Sequence, residues 1–247
     1  MDGLDGRTAI VTGAASPIGQ AIAKRLHEAG MHLMLADLDE AGLRPIAADC
    51  NGAMTWVGDL SVESEVRGMV ATTRDRHGAV DVLVNNAGGG IIRPFLEHDS
   101  DSLHATLARN LWPTIWACHA ALPIMVEGGR GRIINIGADS VRNGLWNHAG
   151  YNAAKGGVHG LTTGLAREFA QKGITVNTVA PCMVATPMVQ RATKEGNPLI
   201  GKFASVIPVG RPATMDEVAS LVVYLAGEGA GFITGQVISV NGGSTML

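Results

Sequence analysis

The sequence predicts a single α/β domain, residues 1–247, in which helices cover both faces of a doubly wound parallel sheet of about seven strands. Short apolar runs alternate along the chain with longer segments of helical periodicity. The runs are almost wholly apolar, as strands are when both of their faces are buried. Strands that alternate with helices make right-handed βαβ crossovers, and these crossovers build a doubly wound sheet.

The predicted elements follow in chain order. The strands are 7–12, 32–37, 54–58, 80–85, 131–136, 174–180 and 236–240, and the third has the weakest pattern. The helices are 17–29, 61–77, 99–127, 149–172 and 215–226. Pro113 and Pro123 interrupt the third helical pattern, whereas Ser61 and Thr214 are residues that start helices.

Two segments break this alternation, and each follows the end of a strand. One is 88–94, which begins with three glycines, and the other is the irregular stretch 183–208. Open α/β sheets bind ligands beyond the carboxyl ends of their strands, and long loops in compact domains often serve function. We interpret 183–208 as a lid over the substrate, with an ordinary surface excursion as the alternative.

The composition is typical of a compact domain and excludes several classes of protein. Hydrophobic residues make up 46% and charged residues 17%, and the formal net charge is −3. No basic cluster points to nucleic acid or a membrane surface, and no apolar run is long enough to span a bilayer. The three cysteines are odd in number and lack metal-ligand spacing, which predicts reduced thiols in a cytoplasmic protein and no metal site.

A glycine-rich turn joins the first strand to the first helix. It reads Thr-Gly-Ala-Ala-Ser-Pro-Ile-Gly over 12–19. Such a turn presents backbone N–H groups and the positive end of a helix to a pyrophosphate. Gly13 permits the tight turn, and Gly19 permits close packing of helix on strand. The position at the first strand–helix junction therefore favours a dinucleotide site over an ordinary turn.

Asp37 ends the second predicted strand. A carboxylate there accepts hydrogen bonds from an adenosine ribose diol and repels a 2′-phosphate. The next residues, Leu38 and Asp39, supply no cation, so the predicted cofactor is NAD rather than NADP. Asp59 ends the third strand, where it either reaches the adenine or caps the helix that begins near Ser61.

Tyr151 and Lys155 lie four residues apart near the start of a predicted helix, and therefore on one face of it. A free tyrosine has a pKa of about 10, and a nearby ammonium group lowers that value. The pair suits acid–base chemistry. A tyrosine and a lysine at this spacing are common by chance, so their interpretation as a catalytic pair relies on the presence of the glycine-rich turn and Asp37.

With these motifs in this order, the whole chain resembles the short-chain dehydrogenase/reductases. The resemblance includes 12–19, Asp59, the Asn-Asn-Ala-Gly motif at 85–88, Asn110, Tyr151 with Lys155, the segment 181–186, and the closing pattern 234–243. It implies a Rossmann-type fold and hydride transfer between NAD and a secondary alcohol or ketone. The protein would supply placement and proton handling, and the cofactor the hydride chemistry.

The resemblance also implies roles at the catalytic end. Tyr151 would exchange a proton with the substrate oxygen. Lys155 would lower the pKa of that tyrosine and bind the nicotinamide ribose. Asn110 would lie in a kinked helix and anchor a water that leads to Lys155.

The implied cofactor contacts come from every one of these motifs. Ile18 would offer its amide to the pyrophosphate, and Val184 with Thr186 would hold the carboxamide. The segment 86–88 would support the adenosine side. In full, the contacts are Gly13, Ser16, Pro17, Ile18, Gly19, Asp37, Asp59, Leu60, Asn86, Ala87, Gly88, Tyr151, Lys155, Pro181, Val184 and Thr186.

Three positions depart from the family's pattern. Pro17 replaces the middle glycine of the turn, and proline suits the first turn of a helix. Cys182 replaces the glycine after Pro181, and since no neighbour activates its thiol we interpret it as a packing residue. Ala138 lies thirteen residues before Tyr151, where the family has its catalytic serine.

Ala138 removes the hydroxyl that donates to the reacting oxygen, and losing such a donor costs on the order of 10²–10³ in turnover. Three interpretations are open: an engineered replacement of the serine, substitution by Ser140 through a local backbone shift, or a weak or non-catalytic binder. On an extended strand Ser140 would lie roughly 6–7 Å further along, so it would need a bulge. We favour the engineered replacement, because Tyr151, Lys155 and Asn110 are all present.

The predicted helix 149–172 carries Gly156, Gly157, Gly160 and Gly164. Glycine inside a helix costs about 1 kcal/mol relative to alanine, so several together suggest close approach of another backbone. Packing on the sheet is the alternative. The family resemblance implies a homotetramer, in which 242–247 would join a second interface.

The predicted substrate is a cyclic or acyl secondary alcohol or ketone. Its pocket would be formed by 89–94, 139–148 and 183–208, with Trp146 and His148 among its walls. Arg142 and His148 are candidate partners for a carboxylate or a hydroxyl of the substrate. A 3-oxoacyl-thioester reductase is one alternative, although such enzymes usually use NADPH and Asp37 argues against that. A non-catalytic NAD-binding regulator is the other, supported by Ala138 and opposed by Tyr151 with Lys155.

Overall fold

The computed structural model describes residues 3–246, and within them one parallel sheet has the strand order β3-β2-β1-β4-β5-β6-β7. The strands are β1 (Thr8–Thr12), β2 (His32–Asp37), β3 (Met54–Val57), β4 (Val82–Asn85), β5 (Gly131–Ile136), β6 (Ile174–Pro181) and β7 (Val237–Val240). The predicted doubly wound parallel sheet is confirmed, because each strand lies within two residues of its predicted bounds.

Helices cover both faces of the sheet. They are α1 (Pro17–Glu28), α2 (Glu40–Asp49), α3 (Glu63–His77), α4 (Ser100–Asn110), α5 (Trp112–Glu127), α6 (Ser140–Asn143), α7 (Ala149–Phe169), α8 (Pro187–Lys194), α9 (Pro198–Ala204) and α10 (Met215–Ala226). α1, α2 and α10 pack one hydrophobic core against the sheet, and α3, α5 and α7 pack a second core against the other face. Within residues 3–246 no helix is long and apolar enough to cross a bilayer.

The sequence analysis did not predict α2. Its Gly42 and Pro45 are poor helix formers, which hid the pattern. The helix forms because the Asp39 side chain accepts a hydrogen bond from the amide of Gly42 and because Leu43 and Ile46 are buried. Tertiary burial thus outweighs weak local propensity.

Two predicted helix boundaries also differ from the structure. The pattern 99–127 divides at Leu111 into α4 and α5, with Pro113 in the first turn of α5, whereas Pro123 lies inside α5 without ending it. α3 begins at Glu63, two residues later than predicted. The predicted start at Thr214 is confirmed, since Thr214 and Glu217 form a capping box.

A buried carboxylate fixes the last residues to the sheet. Asp139 follows β5 and is fully buried. Its Oδ1 accepts from Ser239 Oγ at 2.8 Å and Asn241 Nδ2 at 3.1 Å. Its Oδ2 accepts from Ser244 Oγ at 2.5 Å and Thr245 Oγ1 at 2.9 Å. Since buried polar groups need partners, Asp139 couples the end of β5 to the segment that follows β7.

We expect Asp139→Ala to lower the free energy of unfolding by about 3 kcal/mol or more, because it leaves several buried donors without an acceptor. Chemical denaturation measures this change. Asp75→Ala is the matched control, since the Asp75 carboxylate is exposed and pairs only with its neighbour Arg74. Equal effects of the two substitutions would contradict the role of Asp139.

Candidate active site

Two adjoining clefts open at the carboxyl edge of the sheet. The first, of about 700 Å³, lies over the ends of β1, β2 and β3, and the second, of about 490 Å³, over the ends of β5 and β6. They share Ser16, Asn86, Gly88 and Gly89. The sheet order reverses between β1 and β4, and a ligand crevice is expected at such a switch point.

The glycine-rich turn has the predicted geometry. Gly13 has φ +64°, a left-handed conformation that favours glycine. Ser16 is the N-cap of α1 and accepts from the amide of Gly19 at 3.1 Å, and Pro17 begins the helix. A Cβ on Gly19 would collide with the carbonyl oxygen of Gly13. Ile18, in the first turn, makes no hydrogen bond through its amide among residues 3–246, so that N–H is free to bind an anion.

Asn86 holds this turn against the end of β4. Its Nδ2 donates to the carbonyl oxygens of Thr12 at 3.1 Å and Gly13 at 2.8 Å, and to Ser16 Oγ at 3.1 Å. The amides of Asn86 and Ala87 both donate to Thr12 Oγ1 at 3.0 Å. Asn86 and Ala87 therefore join the glycine-rich turn to the end of β4, and support of the adenosine side by 86–88 stays a prediction.

Asp37 lies on the wall of the first cleft at the end of β2. Its Oδ2 accepts from the amide of Ala15 at 2.9 Å, and its Oδ1 from the amide of Asp39 at 3.1 Å. These bonds orient the carboxylate, and they leave further lone pairs on both oxygens for a ligand.

Asp59 and Leu60 line the same cleft. Asp59 Oδ1 accepts from the amide of Ser61 at 2.9 Å, but the N-cap of α3 is Val62. Asp59 therefore shapes the turn before α3 and does not cap the helix, which leaves contact with the adenine as the prediction for this residue.

The first cleft fits a nicotinamide dinucleotide. It has the Asp37 carboxylate on its wall, and the unpartnered amide of Ile18 stands where it adjoins the second cleft. A side chain at position 13 would not fit the turn that lines it. Among residues 3–246 no three His, Cys, Asp or Glu side chains lie together as metal ligands do.

Tyr151 and Lys155 face the second cleft from the first turns of α7. Lys155 is buried, and its Nζ donates to the carbonyl oxygen of Ile136 at 2.8 Å. Burial lowers the pKa of Lys155 to about 8 and raises the pKa of Tyr151 to about 12. The lysine was expected to lower the pKa of the tyrosine. In this structure burial is the dominant influence instead, and Tyr151 is a protonated phenol at neutral pH.

Asn110 lies at the break between α4 and α5, close to Lys155. Its Oδ1 accepts from the amide of Gly89 at 3.1 Å, and its Nδ2 donates to the carbonyl oxygens of Gly89 at 3.0 Å and Thr106 at 2.8 Å. A Cβ on Gly88 would stand 2.7 Å from Asn110 Oδ1 and 3.3 Å from Lys155 Nζ. The predicted helix irregularity at Asn110 is confirmed, whereas the water relay to Lys155 stays a prediction.

Ala138 and Ser140 line the second cleft together with Tyr151. β5 ends at Ile136, and Ser140 is the first residue of α6, so the chain is no longer extended here. The condition on which Ser140 was expected to lie roughly 6–7 Å further along, an extended segment, is therefore not met. Ser140 Oγ donates to Asn152 Oδ1 at 2.6 Å, and Asn152 Nδ2 donates to the carbonyl oxygen of Ser140 at 2.8 Å.

The segment 183–208 covers the second cleft but is not irregular, because it contains α8 and α9. Thr186 caps α8 by accepting from the amide of Val189 at 3.4 Å, and Val184 pairs with Ala213. The cleft residues from this segment are mainly apolar: Met183, Val184, Met188, Val189, Leu199, Ile200 and Phe203. Capping by Thr186 and Asn197 formed helices that the Pro and Gly content had obscured.

The comparisons with known proteins agree with this geometry. A family model described as Enoyl-(Acyl carrier protein) reductase matches residues 13–245. The 2,3-dihydroxy-2,3-dihydro-p-cumate dehydrogenase of Pseudomonas putida is 53% identical over 99% of this chain and 96% of its own. The chain belongs to the short-chain dehydrogenase/reductase family.

Two further comparisons extend over nearly the full length. The 1,6-dihydroxycyclohexa-2,4-diene-1-carboxylate dehydrogenase of Pseudomonas putida is 34% identical over 96% of this chain and 92% of its own. The crystal structure of levodione reductase superimposes with a TM-score of 0.91 at 30% identity and covers 97% of each chain. This short-chain dehydrogenase/reductase is an oxidoreductase that acts on the CH–OH group of secondary alcohols with a nicotinamide cofactor.

Two expectations about the walls of the substrate cleft need correction. Arg142 donates to Ser239 Oγ at 3.1 Å and to the carbonyl oxygen of Val237 at 2.8 Å, so β7 holds it outside the cleft. Trp146 also lies outside the cleft lining, and Lys202 Nζ stands 3.6 Å from its ring centroid. Cys182 does line the cleft, and burial raises the pKa of its thiol, in keeping with a packing residue.

Sequence reasoning missed two residues of this member of the family. Asn152, the partner of Ser140, directly follows Tyr151, yet an asparagine in a helix carries no functional signal on its own. Phe203 on α9 contacts the ring of His148, with 5.2 Å between ring centroids. Its role depends on how α9 folds over the cleft, which no local pattern predicts.

Proposed function

We propose that this protein oxidises a vicinal diol on a six-membered carbon ring, with NAD as the hydride acceptor. The observation that carries the proposal is the second cleft, where half-buried Tyr151 and buried Lys155 face an apolar lid beside the dinucleotide cleft. Two relatives named for dihydroxylated compounds, one of them a cyclohexadiene carboxylate, support the ring diol as substrate. The lid that we infer for 183–208 would keep water from the reacting carbon.

The proton step falls to Tyr151. When bound, the nicotinamide accepts a hydride from the carbinol carbon. The hydroxyl proton of the same carbinol passes to the Tyr151 phenolate, so that the C–H and O–H bonds are replaced by C=O. Because burial raises the pKa of Tyr151 to about 12, the base needed for oxidation becomes more abundant as the pH rises, and the protonated phenol suits the reverse reduction. Lys155, Asn110 and Gly88 would hold the nicotinamide ribose and the tyrosine in place.

We further propose that Ser140 supplies the hydroxyl that Ala138 lacks. Both residues line the cleft with Tyr151. The chain turns after Ile136, so Ser140 does not lie further along an extended strand and can approach the place of the missing hydroxyl. The Ser140 hydroxyl donates to Asn152 Oδ1, and rotation about its Cα–Cβ bond would turn it toward the reacting oxygen. We therefore favour substitution by Ser140 over an engineered loss of function.

We expect Ser140→Ala to lower kcat for oxidation by about 10²-fold or more, because it removes a donor to the reacting oxygen. Adding Ala138→Ser to that variant restores the rate. The measurement is NADH formation from a cyclic cis-diol. A contrary result is that Ala138→Ser alone accelerates the enzyme by about 10²–10³ while Ser140→Ala has no effect, which would mean that the chain is disabled at position 138.

The proposed preference for NAD over NADP rests on Asp37. Its carboxylate is fixed at the cleft wall by the amides of Ala15 and Asp39, and neither Leu38 nor Asp39 can neutralise a 2′-phosphate. A 3-oxoacyl-thioester reductase is expected to favour NADPH, so the cofactor preference also separates the two functions.

We expect Asp37→Asn to raise the ratio of kcat/KM for NADP to that for NAD by about tenfold or more, because the amide has nearly the same size without the repelling charge. Steady-state rates with each cofactor provide the ratio. Asp75→Asn, at an exposed carboxylate on α3, is the control. An unchanged ratio for Asp37→Asn would argue against this residue as the selector.

We also propose a homotetramer in the cytoplasm. A Cβ on Gly160 or Gly164 would meet nothing within 4 Å, and one on Gly156 only Val141 at 3.8 Å, so packing within the chain accounts for none of these three glycines. Close approach of a second copy of the chain along α7 would explain why glycine occupies these three positions. The three free cysteines support a reducing compartment.

We expect a light-scattering mass close to four times 25.6 kDa, and a lower mass for Gly164→Arg. The arginine has room within the chain, so circular dichroism should show an unchanged fold. Asp75→Arg, on exposed α3 surface, controls for the added charge. A parent mass near 25.6 kDa would contradict the assembly.

A further inference from the structure

His148 stands between the catalytic tyrosine and the lid. Its ring meets the Tyr151 ring edge-on, with 5.9 Å between centroids, and the Phe203 ring edge-on at 5.2 Å. It precedes α7 as the N-cap residue and lines the second cleft. The mechanism described above gives this residue no role.

One hydrogen bond determines which nitrogen of His148 carries the proton. Nδ1 lies 2.7 Å from the carbonyl oxygen of Trp146, and because a carbonyl only accepts, Nδ1 must donate. Burial lowers the pKa of His148, so the ring is neutral at pH 7. Nε2 therefore has a lone pair, and it makes no hydrogen bond with any residue in 3–246.

Apart from Tyr151, which is assigned to the reacting oxygen, the main polar side chains that line this cleft have partners within residues 3–246. Lys155 Nζ donates to the carbonyl of Ile136, and Ser140 pairs with Asn152. The rest of the wall near His148 is apolar, with Ile92, Leu145, Met183, Leu199, Ile200 and Phe203. A polar group of the substrate that points away from Tyr151 toward the lid thus has His148 Nε2 as its acceptor.

We propose that His148 Nε2 accepts a hydrogen bond from the hydroxyl next to the one that Tyr151 deprotonates, and thereby selects vicinal diols over simple alcohols. The contact between the His148 and Tyr151 rings places the acceptor beside the proton-transfer group, where the second oxygen of a ring diol falls. An acceptor that the bound substrate shields from water without giving it a hydroxyl also penalises a monohydroxy substrate, which is how hydrogen-bonding sites discriminate strongly. This inference rests on the proposed alcohol oxidation.

The test compares two substrates that differ by one hydroxyl, cis-cyclohex-3-ene-1,2-diol and cyclohex-2-en-1-ol. His148→Phe keeps an aromatic ring between Tyr151 and Phe203 but removes the acceptor. We expect it to lower kcat/KM for the diol about tenfold or more and to raise kcat/KM for the mono-alcohol, because that substrate no longer leaves an acceptor unpaired. His148→Gln, which retains an acceptor, should recover part of the diol rate. His119→Phe, at an exposed histidine on α5, is the matched control.

Two results would overturn the proposal while the proposed oxidation stands. One is an equal loss on both substrates, since that would show a structural effect on Tyr151. The other is a diol rate that His148→Phe leaves unchanged. If the parent enzyme oxidises neither substrate, the proposed function fails, and the inference that rests on it is overturned with it.

Discussion

The active site depends on one hydrogen bond between a helix and the sheet, from Lys155 Nζ to the carbonyl oxygen of Ile136 at 2.8 Å. A lysine this deeply buried is costly unless its ammonium group has partners. The bond fixes the first turns of α7 against the end of β5. Tyr151, one turn earlier on the same face, then points into the substrate cleft, and its burial raises its pKa.

A chain of buried polar side chains sets the register of α7 on the sheet. Asn85 Nδ2 donates to Asn135 Oδ1 at 2.8 Å, and Asn135 Nδ2 donates to Thr162 Oγ1 at 2.9 Å. Thr162 Oγ1 lies 2.7 Å from Thr178 Oγ1. The chain thus connects β4, β5, α7 and β6, and a shift of α7 by one residue would leave buried groups without partners. The same four elements carry or border the catalytic pair, so this core network also places the site.

The sequence predicted the sheet and the cofactor cleft well because both depend on local patterns. Apolar runs located the strands, and Gly13, Gly19 and Asp37 stand at chain positions that the βα unit brings to one edge. The prediction failed where tertiary contacts determine the local structure. Burial formed α2 despite Pro45, and the chain turns after Ile136, so Ser140 does not lie on the extended strand from which its distance to position 138 was inferred.

The pKa of Tyr151 is another property that the sequence alone could not predict. Residue spacing put an ammonium group near the tyrosine and so predicted a lowered pKa. The structure gives that ammonium group a carbonyl partner, and partial burial of the phenol raises the pKa of Tyr151 instead. Only the packed structure shows which of the two effects is larger.

Proton transfer by Tyr151 is tested most directly by the pH dependence of alcohol oxidation. We would measure kcat/KM for a cyclic cis-diol from pH 6 to pH 10 in the parent enzyme and in Tyr151→Phe. Because a raised pKa keeps the phenol protonated at neutral pH, the account predicts a parent rate that climbs through this range and a Tyr151→Phe variant with little or no activity. A parent rate independent of pH, or a Tyr151→Phe variant that retains it, would contradict the account.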